Sequence, residues 1–263
     1  MTTETVSLRA VEKVFPNGVR GLAPVDLSVR RGELITLIGP SGCGKSTLLK
    51  LIANLHAPST GSVSWWGGNF SSVGTEGRRL SFVFQDPTLM PWSNVATNVR
   101  LPLDLDGVPR VEAEARVMPA LEQVGLSHAA GRFPAQLSGG MRMRVSIARA
   151  LVTKPDLLLM DEPFGALDEF TRNKLDEDMA ELCKRDGLTT IFVTHSLYEA
   201  AFLSSRVIVM AAGPGRIHAE YLIEPSMPRD ENFRLSDEFS RICRDLNALL
   251  TEVSHLNGQK ESA

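Results

Sequence analysis

The chain has 263 residues, of which 43% are hydrophobic and 22% are charged, which favours a folded domain with a sizeable core over a disordered chain. Its formal net charge of −3 lacks the positive excess that is typical of proteins binding duplex DNA or anionic lipid, so we expect no nucleic-acid partner. The three cysteines, Cys43, Cys183 and Cys243, fit a reducing cytosol better than a disulfide framework or a zinc site, and no apolar run approaches the length of a membrane span.

The N-terminal part of the chain predicts a small antiparallel sheet. Polar and apolar residues mostly alternate at residues 6–8, 25–29 and 62–66, as they do in strands with one buried face. Turn-forming residues such as Asn17-Gly18 separate these stretches. The alternation, together with Glu4, also distinguishes the start of the chain from a signal peptide. We expect these strands to form a β subdomain beside the main core.

Residues 39–47 carry the most specific motif of the chain. They match the phosphate-binding pattern G-x-x-x-x-G-K-[ST], after an apolar run at 34–38 and before a helical pattern at 45–55. A strand, a glycine-rich loop and a helix N-terminus present backbone N–H groups that hold a polyphosphate. Lys45 would add a positive charge, Ser46 would bind Mg²⁺ and Thr47 would contact a phosphate oxygen; an ordinary glycine turn is the alternative. The residues expected to contact the nucleotide here are Gly39, Pro40, Ser41, Gly42, Cys43, Gly44, Lys45, Ser46 and Thr47.

Between residues 86 and 153 the pattern becomes helical, which predicts a helical subdomain inserted into the core. Gly125 is placed to end one of its helices, and Pro119 predicts a break or kink within that helix. The apolar residues that share the expected buried face of this helix are Val111, Ala115, Met118, Leu121 and Val124.

A second candidate phosphate site lies at Leu137-Ser138-Gly139-Gly140, before a helix predicted at 141–152. Ser138 is a suitable N-cap, and the helix N-terminus attracts anions. Two glycines in a first turn lower helix stability, whereas a structural cap needs only one such residue. We therefore infer that Gly139 and Gly140 let the backbone approach a phosphate closely.

Four further runs, at 80–84, 157–160, 189–194 and 207–210, are candidates for buried strands and alternate with helical stretches. They predict an α/β fold with a mostly parallel sheet covered on both faces. Gln85 follows the first run, Asp161-Glu162 the second and His195 the third. Because the carboxyl ends of parallel strands meet at one edge of the sheet, we expect these side chains to converge on the phosphate loop.

Phosphoryl transfer assigns a role to each of these side chains, since it needs charge neutralisation and an oriented nucleophile. Asp161 would hold Mg²⁺ through water, and Glu162 would act as the general base for an attacking water. Gln85 would complete the Mg²⁺ shell, and His195 would donate to the γ-phosphate. Taken alone, Gln85 or His195 is more often a solvated turn residue. The histidines expected at the surface are His56, His128, His218 and His255.

The last part of the chain, residues 226–263, predicts a C-terminal helical extension. Ser236 is the expected N-cap of an amphipathic helix, with acidic residues in its first turn. From Gly258 onwards we expect a mobile polar tail. The apolar face of the helix comprises Phe239, Ile242, Leu246, Leu249 and Val253.

In this order and spacing, the motifs resemble those of the ATP-binding subunits of ABC transporters, over about residues 5–225. The resemblance implies a P-loop NTPase (RecA-like) core, with the ATP-binding domain at residues 1–225 and its helical subdomain at about 86–153. It also implies ATP and Mg²⁺ as cofactors. The motifs that carry it are the phosphate loop, Gln85, Leu137-Ser138-Gly139-Gly140, Asp161-Glu162, Gly165-Ala166-Leu167-Asp168 and His195.

The resemblance further implies a homodimer. In the family, ATP is sandwiched between two subunits, so that the phosphate loop of one faces Ser138, Gly139 and Gly140 of the other. This chain carries one copy of each motif, and Asp168 would lie at the dimer seam. An upstream aromatic residue usually stacks on adenine, for which Phe15 is the candidate; an ordinary core residue is the alternative.

Several segments are similar to a narrower group, the importers of nitrate, sulfonates and taurine, and to related importers of pyrimidine precursors. Met141 suits this group, whereas Met143 stands where the group often has Gln, and Phe15 where many members have Tyr. The segment Leu89-Met90-Pro91-Trp92 would then meet a short helix of the membrane subunit, with packing under the helical subdomain as the alternative. The similar segments are Leu89-Met90-Pro91-Trp92, Ser138-Gly139-Gly140-Met141, residues 161–168 and Gly213-Pro214-Gly215-Arg216.

The resemblance therefore predicts an ATP-hydrolysing subunit of a bacterial ABC importer, peripheral on the cytoplasmic face of the inner membrane. Its partners would be a second copy, two membrane permease subunits and, in the full complex, an extracytoplasmic solute-binding protein. A soluble ABC ATPase, a non-catalytic interaction module and a P-loop kinase are the alternatives. The intact Lys45 and Glu162 disfavour a non-catalytic module, and a P-loop kinase would leave Ser138-Gly139-Gly140 unexplained.

Overall fold

The strands form two sheets in the computed structural model, which describes residues 4–68, 77–165, 167–224 and 226–261, with side chains as far as residue 255. Ala166 of the predicted loop and Pro225 at the predicted domain boundary lie outside the described residues. The strands are β1 (Glu4–Val14), β2 (Arg20–Arg30), β3 (Leu34–Ile38), β4 (Thr60–Trp65), β5 (Leu80–Val83), β6 (Leu157–Asp161), β7 (Thr189–Val193), β8 (Arg206–Ala211) and β9 (Arg216–Leu222). The α-helices are α1 (Lys45–Ile52), α2 (Val95–Leu105), α3 (Arg110–Gln123), α4 (Gly139–Leu151), α5 (Glu169–Asp186), α6 (Leu197–Leu203), α7 (Glu231–Arg234) and α8 (Asp237–Glu261).

The smaller sheet has the strand order β2-β1-β4 and is antiparallel throughout, which confirms the predicted N-terminal β subdomain. Leu8 of β1 pairs with Leu27 on one side and Val63 on the other. β1 and β2 extend beyond the predicted stretches because their exposed residues continue the ladder on the solvent face. β4 ends at Trp65, one residue early, since Trp66 adopts a φ of +49°.

The larger sheet has the order β5-β6-β7-β3-β8-β9, and only the pairing of β8 with β9 is antiparallel, so the predicted mostly parallel α/β core is confirmed. β3 lies between two hydrophobic clusters: Leu34 and Ile38 pack on the side of the helical subdomain, and Ile35 packs on the side of the small sheet. The apolar run at 34–38 therefore reflects burial on both faces. β9 is missing from the sequence prediction because its residues are only partly buried and form no apolar run.

The helical subdomain consists of α2, α3 and α4 packed on one another. The prediction for α3 is wrong in two respects. The helix runs unbroken through Pro119, which lies on its exposed side, where water can satisfy the carbonyl freed by the proline. Its buried face is also different, because Val111 is 83% exposed and Met118 47% exposed. The residues that α3 does bury are Ala113, Val117, Ala120 and Leu121.

The C-terminal extension packs against α6 and β8 through α8. Ser236 Oγ accepts a hydrogen bond from Phe239 N at 3.0 Å, as expected of an N-cap. The predicted apolar face is buried, apart from Leu249, which is partly buried. The expected tail from Gly258 is wrong, because the backbone stays helical to Glu261. No helix in the described part of the chain combines the length and hydropathy needed to cross a bilayer.

Candidate functional site

The phosphate loop joins β3 to α1, and two of its positions require glycine. Gly39 has a φ of +152°, and a Cβ there would lie 2.4 Å from the carbonyl oxygen of Met210 in β8. Gly44 has a φ of +91°, and a Cβ there would lie 2.9 Å from Leu22 Cδ1. These two glycines therefore let the loop approach β2 and β8 closely.

α1 begins at Lys45 with no side chain capping its N-terminus, because the N-cap residue is Gly44. Its first-turn N–H groups are thus left for a ligand, and its first turn carries no acidic residue to repel an anion. The helix ends at Ile52, earlier than the predicted 45–55. Asn54 adopts a left-handed φ of +57° and Leu55 is 54% exposed, so the last predicted turn does not form.

Lys45 lies folded back over the phosphate loop and is 7% exposed. Its Nζ donates to Gly39 O at 2.8 Å and to Pro40 O at 3.1 Å. Both acceptors are neutral, so a phosphate oxygen at the same nitrogen would make a stronger, charge-assisted hydrogen bond. Burial raises the pKa of the nearby Cys43 thiol, although the charge of Lys45 opposes the shift. Cys43 is also 0% exposed, so solvent does not reach its thiol.

Ser46 and Asp161 meet at the end of β6, where Ser46 Oγ donates to Asp161 Oδ1 at 3.0 Å. Burial raises the pKa of Asp161, and the hydrogen bond from Ser46 opposes the shift. A hydroxyl next to a carboxylate supplies the oxygen ligands that Mg²⁺ prefers. This pair thus fits the expected metal site, with the substrate phosphates and water as further ligands.

Glu162 lies between the other two predicted side chains of this sheet edge. Its Oε2 is 3.5 Å from Gln85 Nε2 and 3.4 Å from His195 Nδ1. The three residues follow β6, β5 and β7, which are adjacent in the parallel sheet. Glu162 also has a left-handed φ of +46°, a strained backbone of the kind that is found at functional sites. The structure therefore brings these groups together as the strand order predicts.

The second candidate phosphate site is the exposed N-terminus of α4. Ser138 Oγ accepts from Met141 N at 3.2 Å, which confirms the predicted N-cap, and the helix begins at Gly139, two residues earlier than predicted. Among the described residues, a Cβ at Gly140 would contact only Thr171 Cγ2 and Leu167 Cδ2 within 4 Å. No atom of the phosphate loop of the same chain lies within 4 Å of this position, which agrees with a site completed by another molecule.

Asp168 is the N-cap of α5, and its Oδ1 accepts from Thr171 N at 2.9 Å. This hydrogen bond holds the pKa of the carboxyl below its ordinary value. Since Thr171 also borders Gly140, Asp168 lies next to the N-terminus of α4. An exposed Asp168 beside this surface agrees with its expected place at a seam between two copies.

Phe15 follows the end of β1 and is only partly buried, so it is not the core residue of the alternative interpretation. A Cβ at Gly21 would lie 2.5 Å from Phe15 Cε2, so the ring rests on this glycine. The carbonyl oxygen of Gly21 in turn lies 3.0 Å from a Cβ placed at Gly44 of the phosphate loop. Phe15 is thus positioned next to the phosphate loop, where a base-stacking residue would be needed.

The segment Leu89-Met90-Pro91-Trp92 is held rigidly while it presents Trp92, which is 75% exposed. The buried Asn98 side chain accepts from Met90 N at 2.7 Å and donates to Met90 O at 3.1 Å. Leu89 is partly buried against the core. The alternative prediction, that the segment packs under the helical subdomain, therefore holds for Leu89 only. An exposed indole on a fixed loop is suited to bind a partner.

Two charged residues next to this site are absent from the sequence analysis: Glu199, which is buried, and Arg172, which is partly buried. Glu199 is 3% exposed and lies 3.3 Å from Arg172 Nε. A local signal existed, because Ser196-x-x-Glu199 has the spacing of a capping box, and Ser196 Oγ does accept from Glu199 N. The Glu199 carboxylate, however, accepts from Thr194 instead of completing the box, which the spacing alone could not reveal.

A phosphate loop, an acidic pair after a buried strand, and a second glycine-bearing helix N-terminus in an inserted helical subdomain define an ATP-binding cassette. The chain belongs to the ABC transporter family: the family model described as ABC transporter matches residues 22–165.

The relatives of the chain support the same assignment. It is 46% identical over 216 residues to a bicarbonate transport ATP-binding protein, CmpC, from Synechococcus elongatus. The matched region covers 80% of this chain and 32% of that protein. The chain thus spans about a third of the length of this relative. It is 43% identical over 217 residues to a taurine import ATP-binding protein, TauB, from Chromobacterium violaceum, which covers 82% of this chain and 80% of that protein.

A solved structure confirms the fold. The cassette MJ0796, in a dimeric post-hydrolysis state bound to ADP and Pi, matches with a TM-score of 0.74 and 32% identity. The match covers 84% of this chain and 99% of that chain.

Proposed function

We propose that the chain is the ATP-binding and ATP-hydrolysing subunit of an importer for a small solute. The observation that carries this proposal is the convergence of Ser46-Asp161 and of Gln85-Glu162-His195 beside a phosphate loop. Relatives named for bicarbonate, nitrate, taurine and aliphatic sulfonates favour a small anionic solute over a pyrimidine precursor. This subunit would act through the permease, so none of the residues proposed here contacts the cargo.

Within the site, each side chain is assigned the role that its position supports. Mg²⁺ would be held by Ser46, Gln85 and Asp161, and would supply positive charge to the phosphate oxygens when bound. Glu162 would accept the proton of the attacking water, since its carboxylate lies between Gln85 and His195. Lys45 and the phosphate-loop N–H groups bind the β- and γ-phosphates, and His195 donates to the γ-phosphate.

We further propose that two copies of the chain form each ATP site. Gly139 at the start of α4 has open space before it, because a Cβ there would meet only Arg142 Nη2, at 4.0 Å, among the described residues. The N–H groups of Gly139 and Gly140 would then contact a γ-phosphate held by another copy, while Met141 N stays bonded to Ser138 Oγ. The dimer would sit on two permease subunits at the cytoplasmic face of the inner membrane, contacting them through Leu89-Met90-Pro91-Trp92, and a solute-binding protein would complete the complex outside.

The test is the variant Glu162→Gln. It keeps the size and most hydrogen bonds of the side chain but removes the base, so ATP turnover should fall by about 10²-fold or more. ATP binding should persist, and gel filtration with ATP should show a trapped dimer. The exposed Glu122→Gln on α3 is the matched control and should leave turnover unchanged. Full activity of Glu162→Gln would contradict the proposed role of Glu162.

A further inference from the structure

An ion pair between the partly buried Arg172 and the buried Glu199 lies beside the proposed site but has no role in the mechanism given above. Its Nε–Oε1 distance is 3.3 Å, and Glu199 is 3% exposed. Charged side chains are rarely buried this deeply unless they are paired and hydrogen-bonded. The hydrogen bonds at both ends of this pair therefore indicate what it holds in place.

The Glu199 end holds the turn that carries His195. Thr194 Oγ1 donates to Glu199 Oε2 at 2.5 Å and accepts from Ser196 N at 2.9 Å. Thr194 is 2% exposed, so this hydroxyl is a buried link between the carboxylate and the backbone. The residues directly before and after His195 are thus both tied to Glu199.

The Arg172 end holds the loop that begins with Glu162. Arg172 Nη2 donates to Leu167 O at 2.7 Å, and its Nε donates to Phe164 O at 3.4 Å. Gly165 lies between these two carbonyls, and a Cβ there would be 3.4 Å from His195 Cε1. The imidazole ring therefore rests against the same loop that Arg172 holds.

We propose that Arg172, Glu199 and Thr194 are positioning residues that keep His195 within 3.4 Å of the Glu162 carboxylate. His195 has a side chain that is 60% exposed, so little packing of its own fixes the ring. The loop after β6 and the loop after β7 carry the two groups separately, and the ion pair joins these loops. The inference rests on the proposed function, because the distance matters only if both groups act on ATP.

The choice of arginine agrees with this role. Its planar guanidinium donates to two carbonyl oxygens while its charge lies 3.3 Å from the Glu199 carboxylate, which the single ammonium of a lysine cannot do with the same geometry. Small displacements at a reacting centre, of about 1 Å, lower rates by as much as about 10²-fold. Supporting residues around a site typically contribute about 10- to 100-fold.

The experiment compares ATP turnover of Thr194→Val, Thr194→Ser and Glu199→Gln with the wild-type chain. Thr194→Val keeps the shape but removes the hydroxyl, so kcat should fall by about tenfold or more while KM for ATP changes by less than about twofold. Thr194→Ser restores the hydroxyl and should recover most of kcat. Lys174→Gln, which removes an exposed ion pair on the same helix, is the control and should behave as wild type.

If Arg172, Glu199 and Thr194 only stabilised the fold, the variants would contain fewer folded chains but each folded chain would keep its kcat. The rate is therefore divided by the number of chains that bind a fluorescent ADP analogue. If kcat per binding chain equals the wild-type value in Thr194→Val and Glu199→Gln, the proposal is overturned. If Thr194→Val does not fold, Arg172→Lys is measured instead. A kcat per binding chain equal to the wild-type value in Arg172→Lys would then overturn the proposal. A wild-type chain without ATPase activity, or a fully active Glu162→Gln, would instead contradict the proposed function.

Discussion

The C-terminal extension is anchored by a second ion pair, in which the buried Asp176 carboxylate pairs with the partly buried Arg234. Removing this pair should destabilise the fold by an amount that changes with pH. Arg234 Nη2 of α7 lies 3.0 Å from Asp176 Oδ2 of α5, and Asp176 is 1% exposed. The guanidinium also stacks 3.6 Å above the Phe202 ring and donates to Asn173 O at 3.3 Å. Among the described residues, Asp176 Oδ1 and Arg234 Nε have no hydrogen-bond partner, so the pair is incompletely compensated.

The pKa of Asp176 sets the sign of the pH effect. Burial, and then the charge of Glu199, raise this pKa from 3.8 to about 7, while Arg234 opposes the shift. The folded state therefore keeps a proton that the unfolded state loses, and the free energy of unfolding falls as pH rises from about 4 to about 7. A shift of about three pKa units corresponds to about 4 kcal/mol over that range.

Arg234→Met removes the cation that opposes the shift, so the pKa of Asp176 should rise further and stability should keep falling above about pH 7. Near pH 6, Asp176 is mostly protonated with or without Arg234. The variant then loses the ring stacking and the hydrogen bonds to Asn173 O and Asp176 Oδ2, about 1–4 kcal/mol. Near pH 8.5 the loss should be greater by up to about 2 kcal/mol, because each pKa unit is worth about 1.4 kcal/mol.

Urea unfolding of the full chain, followed by circular dichroism near pH 6 and near pH 8.5, measures both values. Asp176→Asn is the matched control: in the double variant with Arg234→Met, the extra loss at high pH should disappear. The reasoning is refuted if Arg234→Met loses the same free energy at both pH values, since the buried carboxylate would then not depend on its partner.

Three further predictions follow from the proposed dimer and its partners. Lys45→Ala should weaken ATP binding about tenfold or more in equilibrium titration, since it removes the charge-assisted bond to phosphate; unchanged affinity would contradict the role of Lys45. Ser138→Arg should block hydrolysis but not ATP binding, and mixing it with Lys45→Ala should restore partial ATPase activity, because one of the two shared sites is then intact; no recovery would contradict the shared site. Trp92→Ser should leave the ATPase of the isolated chain unchanged but reduce co-purification with the permease, whereas Leu105→Ser, at another exposed apolar residue, should not; equal co-purification of both would contradict a Trp92 contact.

The sequence predicts the parts of the fold whose signals are local. β3, β6 and β7 are buried on every residue, so a short stretch of mostly apolar and β-branched residues identifies each of them. The N-cap of α4 is equally local, since Ser138 is followed directly by its helix. Strand order then places Glu162 between Gln85 and His195, because parallel strands end at the same edge.

The errors arise where long-range packing decides the structure. α3 buries a face other than the predicted one, because Ala113 and Val117 pack in the hydrophobic cluster shared with α2 and α4. Helical spacing alone favours the larger side chains of Val111 and Met118, which are exposed. The Arg172–Glu199 pair depends on how α5 packs against α6, which no periodicity records. From the sequence alone, charged residues in a helix are predicted to face solvent, and only the packing of the helices shows which of them are buried.

The polar groups of the phosphate site are already paired within the chain, which bears on how nucleotide would bind. Lys45 Nζ is held by two loop carbonyls, and Ser46 Oγ by Asp161, so ATP and Mg²⁺ must replace these hydrogen bonds. For Lys45 the exchange is favourable because its neutral carbonyl acceptors give way to charged phosphate oxygens, which bond about twice as strongly. At the second site, Ser138 Oγ already accepts from Met141 N, whereas among the described residues a Cβ at Gly139 would meet only Arg142 Nη2, at 4.0 Å. Nucleotide would therefore bind first at the phosphate loop of one chain and then gain the second helix N-terminus only when another copy closes over it, which makes dimer closure depend on bound triphosphate.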